Sequence, residues 1–171
     1  MANVENARTL LAAVKEHQEA FDMNYWLLVG PLPEENVRNH QPLTIELENL
    51  SEGLSACGTT LCLAGFAHFL SGRKVEVSPG YWGSLYQGFN LRNEDGEYFN
   101  MTVSIPESGQ DYLDISDTLA SVLFQATNNT AFDMLTDLAA GVPEEYVLQA
   151  WWNGAFDPST AWDDFVESTR I

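Results

Sequence analysis

The chain has 171 residues, and its 25 aspartates and glutamates against seven lysines and arginines give a formal net charge of −18 at pH 7. Hydrophobic residues make up 45% of the chain and aromatic residues 12%, which excludes the low-hydrophobicity composition of a disordered acidic chain. The scarcity of cations excludes the lysine and arginine stripe on which direct nucleic-acid binding depends.

The N-terminal third is predicted to contain one helix and one extended segment. Leucines and a valine recur at helical spacing within residues 4–20, and Asn3 is a suitable N-cap, so a surface helix is expected there. Residues 21–29 are apolar and aromatic and are followed by turn residues, which predicts extended structure. Residues 34–55 are polar and predict a long connection.

The middle of the chain predicts a buried helix followed by a small sheet. Residues 61–70 are apolar on nearly every side and end at Ser71-Gly72, as expected for a helix in the centre of a fold. Residues 74–105 are rich in β-branched and aromatic side chains and predict antiparallel strands, with Tyr98–Ile105 as the last strand because its apolar residues alternate.

The C-terminal half carries four helix-start signals. They are Ser116 before residues 117–127, Thr130 with Asp133 as a capping box, Pro143 before two glutamates, and Asp157-Pro158 before residues 159–168. The sequence therefore predicts one α+β domain spanning residues 1–171, mainly helical, with a small antiparallel sheet.

The charge is unevenly distributed along this chain. Between Asn93 and Thr169 there is no lysine or arginine, whereas fifteen acidic residues occupy the same 77 positions. Three explanations are open for such a surface: it keeps the protein soluble or adapts it to a salty environment, it binds a basic protein partner, or it binds cations. We expect an acidic face for a basic protein partner, formed by Asp111, Asp114, Asp117, Asp133, Asp137, Glu144 and Glu145.

Aromatic residues are concentrated near the C-terminus. They are Tyr146, Trp151, Trp152, Phe156, Trp162 and Phe165. Tryptophan and tyrosine are typical anchors of protein interfaces, whereas the alternative is an aromatic core between two short helices. Because two adjacent tryptophans on a helix cannot both point inward, we expect one of them to be exposed.

Two cysteines and a histidine define the main enzymatic alternative. Cys57 at a helix start is a possible nucleophile, with His68 or His40 as its base. Together with Cys62, the same three residues are possible metal ligands, although their spacing is poor for zinc. Packing of Cys62 and His68 in the core is favoured. No catalytic residue, metal ligand or cofactor is assigned.

Other residues near these cysteines are also expected to have structural roles. Gly65 lowers the propensity of its helix by about 1 kcal/mol relative to alanine, so we expect close approach of another element, such as the segment around Trp26. Asp22 is expected to hydrogen-bond the turn Gly58-Thr59-Thr60, and an anion held by the backbone N–H groups of that turn is the alternative.

These segments resemble a group of short proteins from bacteriophages and bacteria. The residues concerned are Phe21-Asp22-Met23-Asn24-Tyr25-Trp26 and Cys57-Gly58-Thr59-Thr60-Leu61-Cys62-Leu63-Ala64-Gly65, which follow a pattern FDMxxW and CGTxxCxAG. The resemblance covers residues 10–75 and departs at Phe66, where those proteins often have tryptophan. It implies a viral or mobile-element origin and transfers no catalytic residue.

The resemblance also directs the functional expectation. Small acidic phage proteins often occupy the nucleic-acid groove of a host enzyme, so inhibition of a host nucleic-acid-binding enzyme by DNA mimicry is expected by analogy. A phage structural or assembly component is the other alternative.

No targeting segment is visible in the sequence. The longest nearly apolar window, residues 61–70, is too short to span a bilayer. A cytoplasmic, reducing location with free thiols and no membrane association is therefore expected.

Overall fold

A computed structural model describes residues 2–28, 32–46, 60–82, 85–155 and 161–169. The helices in these ranges are α1 (Val4–Glu16), α2 (Glu34–Asn39), α3 (Leu63–Leu70), α4 (Met101–Leu113), α5 (Asp117–Leu123), α6 (Asn128–Ala140), α7 (Glu144–Trp152) and α8 (Ala161–Thr169). The strands are β1 (Leu27–Leu28), β2 (Leu43–Ile45), β3 (Thr60–Leu61), β4 (Val75–Trp82) and β5 (Leu85–Arg92). The predicted class, a mainly helical α+β fold with a small antiparallel sheet, is confirmed.

Helix α1 begins where its sequence predicts. The Asn3 side chain accepts a hydrogen bond from the backbone N–H of Asn6 at 3.1 Å, which satisfies one of the free donors of the first turn. Its buried residues, Ala7, Leu10, Ala13 and Val14, form one stripe at helical spacing, and α1 packs against α6.

Helix α3 occupies the centre of the core. Every residue from Leu63 to Phe69 is buried, as expected from a segment that is apolar on nearly every side. It packs closely against α4, because Gly109 has no Cβ and an added Cβ there would lie 3.0 Å from the Cα of Ala64. The sequence motif residues on α3 are therefore held inside the protein.

The sheet has the order β2-β4-β5 and is antiparallel throughout. Val77 pairs with Leu43 on one side and with Leu91 on the other, while Val75 and Val77 turn their side chains into the core. A separate antiparallel pair, β1 with β3, aligns Leu27 with Leu61.

The predicted strand Tyr98–Ile105 is wrong, since most of this segment belongs to helix α4. The Asn100 side chain accepts from the backbone N–H of Thr102 at 3.3 Å and caps the helix. The apolar alternation is misleading because Val103 is exposed, whereas Ile105, Ser108 and Gly109 form a buried helical stripe.

Other boundaries also differ from the prediction. The connection expected over residues 34–55 contains α2 and β2 in its described part, and extended structure in residues 21–28 is limited to an isolated bridge and the two residues of β1. Helix α6 starts after Thr127, whose hydroxyl accepts from the N–H of Thr130, so Thr127 provides the cap instead of Thr130. Helix α5 ends at Leu123. The predicted cap Asp157-Pro158 lies outside the described residues.

Candidate functional site

An open cleft lies between the junction of α4 with α5 and the start of α7. Its volume is about 730 Å³. The described residues that line it are Asp114, Ile115, Ser116, Pro143, Glu144, Glu145 and Leu148. Three of these seven side chains are carboxylates, and none is a cation, so the wall is strongly acidic. We call this feature the acidic cleft.

A tight helix-to-helix turn forms one wall of the acidic cleft. Asp114 ends α4 in the left-handed conformation, with φ 51° and ψ 48°, a geometry that aspartate tolerates better than most residues. Two residues later the Ser116 hydroxyl accepts from the N–H of Leu119 at 3.3 Å and starts α5. The short turn places Asp114 and Asp117 at one junction.

The other wall is the first turn of α7, which follows Pro143. The Glu144 carboxylate crosses the cleft, and its Oε2 accepts a hydrogen bond from the backbone N–H of Ser116 at 3.0 Å. This bond joins two segments 28 residues apart in the chain. Glu144 therefore fixes the position of the two walls, while Glu145 beside it is exposed.

Two more predicted acidic residues lie next to the acidic cleft. Asp117 accepts from the side-chain amide of Gln110 at 2.6 Å, and exposed Asp111 is in the last turn of α4. Five of the seven predicted residues thus lie in two segments, 111–117 and 144–145, that meet at the cleft.

The structure places Asp133 and Asp137 on α6. They lie one turn apart on α6, are half-buried, and are not among the described residues that line the acidic cleft. Of the seven residues expected to form the acidic face, Asp114, Glu144 and Glu145 line the cleft and Asp111 and Asp117 are next to them in the chain.

The cations in the described ranges make contacts elsewhere. Arg8 contacts Glu5, Lys15 lies over the rings of Phe132 and Phe165, Arg38 contacts Glu34, Arg73 contacts Glu94, Lys74 contacts Glu46, and Arg92 donates to the carbonyl of Gly96. None of these six contacts involves the five acidic residues around the cleft.

The aromatic concentration divides into a buried and an exposed part. Trp162, near the start of α8, is buried. The centroid of its ring lies 5.2 Å from that of Phe132 on α6 and 5.6 Å from that of Phe165. On α7, Trp151 is half-buried and Trp152 is 72% exposed, which confirms the expectation that one of the pair is exposed. Tyr146 is 59% exposed, and Phe156 lies outside the described residues.

Cys62 and His68 are packed in the core. Burial raises the pKa of the Cys62 thiol to about 12, so the thiol is protonated at neutral pH. Burial, with a smaller effect of Arg73, lowers the pKa of His68 to about 4, against a small opposing effect of Glu94. These environments oppose formation of the thiolate–imidazolium pair of a cysteine nucleophile.

His68 has one hydrogen-bond partner in the described part of the chain. Its Nδ1 lies 2.6 Å from the hydroxyl of Ser108 on α4, and that hydroxyl also donates to the carbonyl of Ser104 at 2.7 Å. The buried Nε2 has no partner there. Cys57 lies outside the described residues, and within them no three His, Cys, Asp or Glu side chains are grouped as metal ligands.

The two motif segments meet at the start of α3. A Cβ at Gly65 would lie 2.5 Å from the carbonyl oxygen of Trp26, which confirms the predicted close approach. The backbone N–H of Asp22 donates to the carbonyl oxygen of Leu61 at 3.0 Å. The Asp22 carboxylate accepts from the backbone N–H of Asn24, also at 3.0 Å. Of the turn predicted to bind Asp22, Gly58 and Thr59 lie outside the described residues and Thr60 is the first residue of β3.

Three positioning residues were not identified from the sequence as such. Ser108 binds His68, Ser116 binds Glu144, and the side chain of Asn128 accepts from the N–H of Met23 at 2.8 Å. Ser116 is recognisable as a helix start, but its contact with Glu144 depends on the packing of α7. Ser108 and Asn128 carry no local sequence signal for their distant partners.

Comparison with protein families, curated proteins and solved structures finds no match to this chain. Across the described ranges, no helix combines the length and the apolar character needed to cross a membrane.

Proposed function

We propose that this chain is a non-catalytic binding protein whose acidic cleft docks onto a basic surface of another protein. The observation that carries the proposal is that the segments with Asp111, Asp114, Asp117, Glu144 and Glu145 meet at the acidic cleft. This occurs in a part of the sequence, residues 93–169, that contains no lysine or arginine.

The physics of such a surface favours fast, salt-sensitive association. Carboxylates of one sign around a concave wall focus the electric field and attract a partner of opposite sign. At an ionic strength of 0.15 M this attraction is screened beyond about 8 Å, so affinity falls as salt is added. The net charge of −18 adds to the attraction at longer range when salt is low.

The partner class that we propose is a nucleic-acid enzyme. Its phosphate-binding groove is already lined with lysine and arginine, so an acidic protein that enters it would exclude the nucleic acid. Inhibition by DNA mimicry follows from the expected phage origin, and we propose that the encounter takes place in the cytoplasm of a bacterial host. Carboxylates would imitate the phosphates collectively, since their spacing is set by the protein fold.

The test compares two variants with the same change of charge. The cleft variant carries Asp114→Asn, Glu144→Gln and Glu145→Gln, which keep side-chain size and leave an acceptor for the N–H of Ser116. The cleft variant, a control variant and the wild type are each used to capture proteins from a bacterial lysate at low and at moderate salt.

The control variant carries Glu16→Gln, Glu19→Gln and Glu35→Gln, three exposed residues on other elements. We expect a nucleic-acid enzyme to be retained by the wild type and the control variant, lost from the cleft variant, and displaced by duplex DNA. Equal capture by both variants, or capture that DNA does not displace, contradicts the proposal.

A further inference from the structure

Helix α7 presents a solvent face with two large aromatic side chains. Trp152 and Tyr146 are 72% and 59% exposed, and Glu145 and Gln149 beside them are also exposed. Since an α-helix has 3.6 residues per turn, these four side chains fall within about 120° of arc. We call these four residues the α7 face.

The opposite side of the helix is occupied by the protein itself. Val147 is buried, and Leu148 and Trp151 pack against the core. The ring of Trp152 meets that of Trp151 edge-on, with 5.0 Å between centroids, so Trp152 is supported at its base while most of its surface contacts solvent. The α7 face therefore offers aromatic surface to a partner without rearrangement of the core.

The α7 face is continuous with the acidic cleft. Glu145 belongs to both, and it lies two turns before Trp152 on the same side of the helix, about 10 Å away along the axis. A partner that reaches the carboxylates of the cleft from this side also meets the two rings.

The charge of this surface selects the partner. Aromatic faces and carboxylates both attract cations, and the planar guanidinium of arginine stacks on a ring while it pairs with a carboxylate. The lysine ammonium is a compact, strongly hydrated charge that does this less well. A second copy of the chain is disfavoured as occupant, because each copy carries a net charge of −18.

Building on the function proposed above, we propose that the α7 face and the acidic cleft form one docking surface for an arginine-rich segment of a protein partner. Guanidinium groups stack on Tyr146 and Trp152 and pair with Glu145 and the carboxylates of the cleft. The aromatic residues thus supply a preference for arginine that charge alone does not give.

The test measures the affinity of two labelled peptides, nonaarginine and nonalysine, by fluorescence anisotropy at fixed salt. We expect the wild type to bind nonaarginine about fivefold more tightly than nonalysine. The double variant Tyr146→Ala/Trp152→Ala is expected to bind both peptides equally, and Tyr146→Phe/Trp152→Phe is expected to retain the preference. Both residues are exposed, so both variants should keep the wild-type circular dichroism spectrum.

The outcomes separate this inference from the proposed function. Equal binding of the two peptides by the wild type, or an arginine preference that survives in the alanine variant, overturns the inference, and the function then stands if the cleft variant still loses both peptides. Binding that is unchanged in the cleft variant contradicts the function itself. A wild-type dimer in sedimentation that Trp152→Ala dissociates identifies a second copy as the occupant and also overturns the inference.

Discussion

The carbonyl oxygen of Trp26 lies 2.5 Å from the position that a Cβ on Gly65 would occupy. That distance is shorter than van der Waals contact, so the two motif segments pack together only because residue 65 has no side chain. Leu61 closes the same site, at 3.1 Å from that position. Glycine here is required by the neighbouring backbone, because the site lies within a helix where alanine would otherwise be favourable.

Replacement of this glycine is therefore expected to destabilise the protein. Gly65→Ala forces the backbone at Trp26 to move, and overpacking of this kind lowers the free energy of unfolding by about 1–3 kcal/mol. Urea denaturation measures the change. Ala12→Gly on the exposed side of α1 serves as comparison, since it reports helix propensity alone. A Gly65→Ala protein as stable as the wild type would refute the close contact.

The buried His68 predicts a loss of stability in mild acid. Because its pKa is about 4 in the folded chain and 6.5 ordinarily, the unfolded chain binds more protons between these pH values. The stability gained by keeping His68 neutral is fully present above about pH 6.5 and is lost as the pH falls through about 4. The difference of pKa corresponds to on the order of 3 kcal/mol.

The measurement compares the wild type with His68→Gln in urea denaturation at several pH values between 7 and 4. Other titrating groups are common to both proteins, so the difference between their unfolding free energies isolates the histidine. We expect that difference to shrink as the pH falls. Parallel pH profiles would show that the imidazole titrates with its ordinary pKa.

The Cys62 thiol is expected to be unreactive in the folded protein. It is buried at the start of α3, and its pKa of about 12 leaves almost no thiolate at pH 8. A Cys57→Ser variant has Cys62 as its single thiol, and mass spectrometry after iodoacetamide treatment should show alkylation only in urea. Rapid alkylation of the folded variant would instead favour the thiol-enzyme alternative.

Glu144 is expected to stabilise the junction of the acidic cleft. Glu144→Ala removes the acceptor for the N–H of Ser116 and should lower the free energy of unfolding by about 1–2 kcal/mol. Glu144→Gln keeps an oxygen acceptor and should recover most of that loss in thermal or urea unfolding. Equal losses in the two variants would mean that the hydrogen bond contributes nothing measurable.

The parts of the fold that the sequence predicted are those with a strong local signal. Asn3 caps α1, Pro143 precedes α7, and residues 63–69, which are apolar except for His68, lie in the core. The segment 98–105 misled because its apolar alternation resembles a strand, whereas the cap at Asn100 and the packing of α4 on α3 decide its structure. The local sequence pattern contains no information about the packing of α4 on α3.

The candidate site was predictable only as a set of residue types. The acidic residues of α5 and α7 could be placed in first turns, but the hydrogen bond between Ser116 and Glu144 joins residues 28 apart and follows a left-handed turn at Asp114. Asp133 and Asp137 were grouped with the others from composition alone, and they lie on α6, outside the described lining of the cleft.

The central claim is that the acidic cleft and the adjoining α7 face attract cationic groups. Amide chemical-shift mapping by NMR tests it most directly, with nonaarginine added to the isotope-labelled wild type at two salt concentrations. We predict that the shifts concentrate in residues 111–117 and 144–153 and diminish as salt is added. Shifts of equal size at the acidic turn of Glu94, Asp95 and Glu97, or spread evenly over the surface, would contradict the account.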